Sequence, residues 1–236
     1  MRTEVDAAKA AAARYESPDW QDRARAIELA ERSPQEFLAY ALAHPTFAPH
    51  VTYATGINPF AVAIADLDDA TLSKNLEINV LGVVHSCRAE APHMAAAGRG
   101  LIINVASAAA FVSAAAMGAY NASKAAVVAL SETLHHELAA DGVQVTVAMP
   151  GFFRTRLMEH ARAAADARAF AERLMDRSSM SANEIAGEIL ARAAAGETHL
   201  VLPATYRWLW RFKRLAPRSF MRWLARQRWR RPSQGG

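Results

Sequence analysis

Leu101-Ile102-Ile103-Asn104-Val105-Ala106, followed by Ser107 and then by Tyr120-Asn121-Ala122-Ser123-Lys124, is the stretch that decides the fold. Its first part reads as a short strand, apolar on both faces except at Asn104. Such strands suit a parallel sheet covered by helices. Its second part opens a helix running from about Met117 to Ala140 and closed by Asp141-Gly142. Val143 to Met149 is the next strand, stopped by Pro150-Gly151.

Upstream, Leu72 to about Ala97 is a long helix ended by Gly98 and Gly100, with an apolar stripe of Leu72, Leu76, Val80, Val83, Val84 and Cys87. His50 to Ala54 is a strand ending at Gly56. Ser33-Pro34-Gln35-Glu36 starts a helix to about Ala43, with a Ser cap, Pro at the first helical position and Glu three after the cap. Asp6 to Tyr15 reads as an alanine-rich helix and Arg23 to Ala30 as a short strand. Downstream come a helix over Glu184 to Ala195 that begins near Ser181, and a strand over His199 to Leu202. Strands alternating with helices make a parallel α/β sheet. The 236 residues suit one large domain, residues 1–203, followed by a tail, 204–236. Hydrophobic residues, at 52%, are too many for a disordered chain.

Cys87 is the single cysteine, which rules out an internal disulfide and fits a reducing compartment, so a cytoplasmic location is expected. No stretch of about 18 to 20 residues is apolar enough to span a bilayer, and the first residues have no apolar core of a secretory signal. The net charge of +4 hides an asymmetry: ten of the 27 basic residues lie between Arg207 and Arg231, leaving 17 against 23 acids elsewhere. The basic character therefore resides in the tail.

Two polar residues interrupt apolar helix faces. Tyr120 and Lys124 are four apart and share a face with Val127, Val128, Ser131, Leu134 and Leu138. A lysine inside such a stripe is unusual, because burying its charge is costly. A nearby ammonium lowers a tyrosine pKa from its reference near 10, so this pair would exchange a proton near neutral pH. Taken alone, the pair better fits a core tyrosine beside a snorkelling lysine. Asn79 lies between Leu76 and Val83 on the buried stripe of the first long helix, and a buried Asn needs hydrogen-bond partners.

The spacing resembles that of the short-chain dehydrogenases/reductases. Their Tyr-x-x-x-Lys is preceded 13 residues earlier by a Ser just past a strand, as Ser107 precedes Tyr120. An Asn lies 28 residues before that Ser, as Asn79 does here within Glu77-Ile78-Asn79-Val80-Leu81-Gly82. A Pro-Gly turn followed by a Thr matches Pro150-Gly151-Phe152-Phe153-Arg154-Thr155. The resemblance runs from about residue 28 to 215. It implies a doubly wound, Rossmann-like parallel sheet and an NAD(P)-dependent interconversion of a small-molecule alcohol and a carbonyl, with NADP slightly preferred. Tyr120 would be the acid or base, and Lys124 would lower its pKa and hold the nicotinamide ribose. Ser107 would hold the substrate oxygen, and Asn79 a water that relays protons. Pro150, Gly151, Phe153 and Thr155 would orient the nicotinamide, and Gly56, in Tyr53-Ala54-Thr55-Gly56, is what remains of the family's N-N-A-G landmark. The two long helices would build a homodimer.

The chain departs from that family at its start. The family opens with a strand, a T-G-x-x-x-G-x-G turn and a helix whose N-terminus binds the cofactor pyrophosphate. Here the first glycine is Gly56. The expectation is a sheet truncated on its N-terminal side by one βαβ unit, with weakened cofactor binding. Arg2-Thr3-Glu4 is a candidate remnant of the second strand's end, where an Arg often selects NADP. A non-catalytic remnant or binding protein is thus the alternative to an active oxidoreductase. Residues 156–179 suggest a lid but no particular ligand.

Tyr206, Trp208, Leu209, Trp210, Phe212, Phe220, Met221, Trp223, Leu224 and Trp229 alternate with the tail arginines, and Pro217 splits the tail into two short helices. Two readings stay open. One is an interfacial segment making peripheral membrane contact, in a membrane-associated protein whose enzyme domain is then vestigial; the other is an extension packing over the domain or a partner subunit. Nucleic acid is not an expected partner, since the body is acidic and has no recognition motif. Adjacent His135 and His136 point about 100° apart on a helix and do not share a metal.

Overall fold

The computed structural model describes residues 50–52, 62–153, 175–176, 178 and 180–226. The sequence expectations for residues 1–49, for Gly56, for Thr155 and for most of residues 156–179 fall outside these, as does Trp229.

Four parallel strands form a sheet in the order β1 (His50–Thr52), β2 (Gly100–Val105), β3 (Val143–Pro150) and β4 (His199–Leu202). The register pairs His50 with Ile102, Gly100 with Val143, and Val147 with His199. Residues along a strand alternate between faces, and here the alternation sorts the core into two layers. Ile102, Val143, Val145, Val147, Met149 and Val201 join one cluster, while Ile103, Ala148, Leu200 and Leu202 join another. Both faces are therefore covered, as the near-continuous apolar strands require.

The first layer carries the long helices. α1 (Asp69–Leu76) is capped by Asp68, whose carboxylate accepts from the Thr71 amide at 2.7 Å. A π-helical turn, Glu77–Leu81, joins it to α2 (Gly82–Ala96). After β2 come the single turn α3 (Ala109–Val112) and the 21-residue α4 (Gly118–Leu138). The second layer is built on α5 (Ala182–Ala194), which starts with a capping box: Ser181 and Glu184 bond each other's backbone amides. Ile185, Ile189 and Ala193 form its buried stripe. α6 (Ala204–Leu215) returns to the first layer, where Tyr206, Leu209 and Trp210 pack against the core. α7 (Pro217–Arg226) begins at the proline that splits the tail and folds back on α6 through Phe220.

The first long helix differs from its sequence reading. Its buried line is Asn75, Asn79, Val83, Cys87, Ala91 and Met94, while Leu76 is exposed and Leu72 and Val80 are half-buried. The π turn puts an extra residue into one turn of the helix. Residues four apart then stay in line, and Asn75 and Asn79 share the buried face with Val83 and Cys87.

Gly142 sits at a φ of +70°, and a Cβ there would collide with the Gly98 carbonyl oxygen. Gly187, within α5, has open space around it. Gly142→Ala is therefore expected to destabilise the fold by about 1–3 kcal/mol, and Gly187→Ala to stabilise it by about 0.5–1 kcal/mol, both measured by urea denaturation.

Candidate active site

Parallel strands bring their C-terminal ends to one edge of the sheet, the edge where such folds bind ligands. Ser107 follows β2, Pro150-Gly151 ends β3, and α4 starts at the same edge, so Tyr120 and Lys124 lie in its first two turns.

Lys124 is 3% exposed, and its ammonium donates to the carbonyl of Val105, the last residue of β2, at 3.1 Å. Burial penalises the charged form and pushes its pKa down to about 8. The Tyr120 ring lies beside it, 5.7 Å from Nζ to the ring centroid. Burial pushes the Tyr120 phenol above its ordinary value, and a hydrogen bond with Ser107 pulls the other way. This corrects the sequence expectation that the lysine lowers the tyrosine pKa. The ammonium is bonded to the strand carbonyl, and desolvation of the phenol is the larger effect.

Asn79 sits on the π turn with no exposed surface. Its amide donates to Asn75 Oδ1 at 3.2 Å and to Ser123 Oγ at 3.0 Å, and Ser123 Oγ donates to the Tyr120 carbonyl at 2.9 Å. A buried polar chain thus ties the first long helix to the turn of α4 that carries Tyr120. Its Oδ1 has no hydrogen-bond partner among the described residues. A second chain lies deeper: Asn104 donates to Ser131 Oγ at 3.0 Å, Ser131 Oγ donates to the Val127 carbonyl at 2.7 Å, and Cys87 Sγ is 3.7 Å from Asn104. This satisfies the one polar residue of β2.

The Ser107 hydroxyl accepts from the Ala109 amide at 3.1 Å and donates to the Pro150 carbonyl at 3.4 Å. The Ala108 amide also donates to Pro150 O, at 2.8 Å, locking the serine loop to the Pro-Gly turn. Gly151 lies against the ring of Tyr206, where any Cβ would overlap it, and the Phe152 amide donates to the Tyr206 hydroxyl at 3.2 Å. Phe153 is half-buried against the second core layer. The structure thus gathers Asn79, Ser107, Tyr120, Lys124, Pro150, Gly151 and Phe153 at one sheet edge.

Sequence reasoning missed Asn75 and Ser123, the partners of Asn79, although their spacings of four before Asn79 and one before Lys124 were available signals. It also missed Tyr206, whose link to the Pro-Gly turn spans 54 residues and leaves no local trace. Of the two histidines, His136 is exposed and His135 half-buried, and no cluster of three metal-ligating side chains exists among the described residues.

A family model described as short chain dehydrogenase matches residues 51–166, the segment holding Asn79, Ser107, Tyr120, Lys124, Pro150, Gly151 and Phe153. Over those residues the chain is of the short-chain dehydrogenase/reductase type. It is 37% identical over 99 residues to dehydrogenase/reductase SDR family member 4 of Oryctolagus cuniculus, covering 42% of this chain and 38% of that protein. It is 41% identical over 99 residues to the NADPH-dependent 1-acyldihydroxyacetone phosphate reductase of Schizosaccharomyces pombe, covering 42% of this chain and 33% of that protein. The chain thus matches little more than a third of the length of these relatives. A short chain dehydrogenase/reductase from Burkholderia phymatum, solved with NAD, superposes with a TM-score of 0.61 at 26% identity, covering 75% of this chain and 72% of that one. One from Burkholderia cenocepacia, solved with NADP, gives 0.62 at 21% identity over 84% and 74%, a likeness of fold.

The buried charge of Lys124 has a measurable cost. Lowering the Lys124 pKa from 10.5 to about 8 corresponds to about 3 kcal/mol against the folded state wherever the lysine is charged. Below pH 8 that cost is complete. Between pH 8 and about 10.5 the folded lysine is neutral while the unfolded one still binds a proton, so stability rises with pH. The stability difference between wild type and Lys124→Met, measured by denaturation across that window, is expected to shift by about 3 kcal/mol in favour of wild type; a difference independent of pH would contradict it.

Proposed function

We propose that the chain is an NAD(P)-dependent oxidoreductase acting on a small alcohol or carbonyl compound, with Tyr120 as its proton donor. The observation that carries this reading is the junction of Tyr120 with Ser107 on one side and the buried Lys124 ammonium on the other. A phenol held above its ordinary pKa stays protonated at neutral pH. That state suits an acid delivering a proton to a carbonyl oxygen, so reduction is the favoured direction. Ser107 donates to the same oxygen and stabilises the charge that develops there.

The residues present fit the nicotinamide half of the cofactor. Lys124 has three donors, one of them on Val105, and the others suit ribose hydroxyls. Bound nicotinamide supplies the hydride. Asn79, through its free acceptor, takes a water that resupplies protons toward Lys124. The Pro150-Gly151 turn and Phe153 orient the carboxamide, with Thr155 and Gly56 as further contacts. NADP is the favoured form, supported by the relative named NADPH-dependent. A cytoplasmic homodimer is the assembly proposed, supported by the exposed Leu76 and Leu81 on the first long helix. A non-catalytic binding protein is the second reading, which the following test separates from the first.

Tyr120→Phe keeps the ring packing and removes only the acid. It is expected to lower NADPH-dependent reduction of a panel of ketones and aldehydes by about 10²–10⁴-fold in kcat, followed by loss of cofactor absorbance. Wild-type NADPH binding without turnover of any panel member would instead favour the binding protein.

A further inference from the structure

The tail helices leave a surface that the oxidoreductase reading does not use. On α7, Arg218, Arg222 and Arg226 follow one another four residues apart on one face. At about 100° per residue, Phe220 and Leu224 lie on the opposite side, while Met221 and Trp223 border the arginines, one on each flank. Phe220 is fully buried against α6, but Met221 is 51% and Trp223 38% exposed. On α6, Trp208 is 61% exposed. Phe212 joins the two helices: its ring centroid lies 5.2 Å from that of Trp208, 5.5 Å from Phe220 and 6.2 Å from Trp223. The exposed tryptophans therefore belong to one apolar patch that spans both helices.

The charge that the two helices themselves carry has one sign. Arg207, Arg211, Lys213, Arg214, Arg218, Arg222 and Arg226 lie on α6 and α7, and no acidic residue follows Glu197. We propose that this face docks on an anionic lipid surface. Tryptophans favour the headgroup region and arginines favour anionic lipid. A second copy of this chain is a poor occupant, because self-association through the patch sets Arg218, Arg222 and Arg226 of two copies near each other. The chain would lie on the surface, as no described helix is long and apolar enough to cross it. The inner face of α6 is occupied: Tyr206, Leu209 and Trp210 hold it to the core, and Lys213 donates to Ser113 Oγ at 3.5 Å. Docking would therefore use α7 and the outer side of α6, with Tyr206 still on the Pro-Gly turn.

The test is cosedimentation of the full chain with vesicles of phosphatidylcholine alone and of phosphatidylcholine mixed with phosphatidylglycerol, with tryptophan emission as a second readout. Wild type is expected to sediment only with the mixed vesicles, with a blue shift of emission, and to be released by high salt. The triple variant Arg218→Gln, Arg222→Gln, Arg226→Gln alters exposed side chains and is expected to bind on the order of 100-fold more weakly. Trp208→Ser with Met221→Ser is expected to weaken binding at least tenfold and to reduce the blue shift. Unchanged thermal melting of each variant shows that the fold persists. No sedimentation with mixed vesicles, or equal binding of wild type and the arginine variant, overturns the proposal. A tail-dependent rise in molar mass without vesicle binding overturns it in favour of self-association.

Discussion

A lysine ammonium enclosed within an α/β domain has to be paid for by its surroundings, and Lys124 organises the site around it. The Val105 carbonyl that accepts from it is the last residue of β2. The contact therefore fixes how far α4 slides along the sheet edge. With α4 in that position, Tyr120 reaches Ser107 and Ser123 reaches Asn79. Each partner lies on a different element, so four pieces of chain are placed relative to one charge. Such a group is retained at a cost to stability, a cost that suits a functional site better than a structural one.

The π turn at Glu77–Leu81 is the second device. In an ordinary α-helix each step of four residues turns the line by about 40°, so Asn75 would drift away from Val83 and Cys87. The extra residue keeps both buried and bonded, and it directs Asn79 at Ser123. The polar chain then runs from the first long helix to the backbone of Tyr120. Changes in helix packing are in this way coupled to the position of Tyr120.

Much of this was legible in the sequence. The strands at 101–106, 143–149 and 199–202 fall within a residue or so of their observed bounds, because continuous apolar runs between glycine and proline breakers leave little choice. The caps at Ser181 and the split at Pro217 follow from local chemistry. Spacing alone brought Asn79, Ser107, Tyr120 and Lys124 forward. Three things were not legible. The π turn, which goes with Asn75 rather than Leu76 in the buried line, is not signalled by periodicity. The direction of the Tyr120 shift depends on how much water the phenol loses, a property of the folded packing. The docking of Tyr206 on Gly151 is a contact between distant segments, and it turns the first half of an arginine-rich tail into part of the site's support.

The central claim is that Lys124 is a buried charge whose protonation is set by the fold. Its titration can be followed directly by NMR of protein labelled with ¹³Cε-lysine, with the resonance assigned by its loss in Lys124→Arg. The account gives a midpoint of about 8. A midpoint at the ordinary 10.5 would show the ammonium to be solvated and would remove the basis for the site described above.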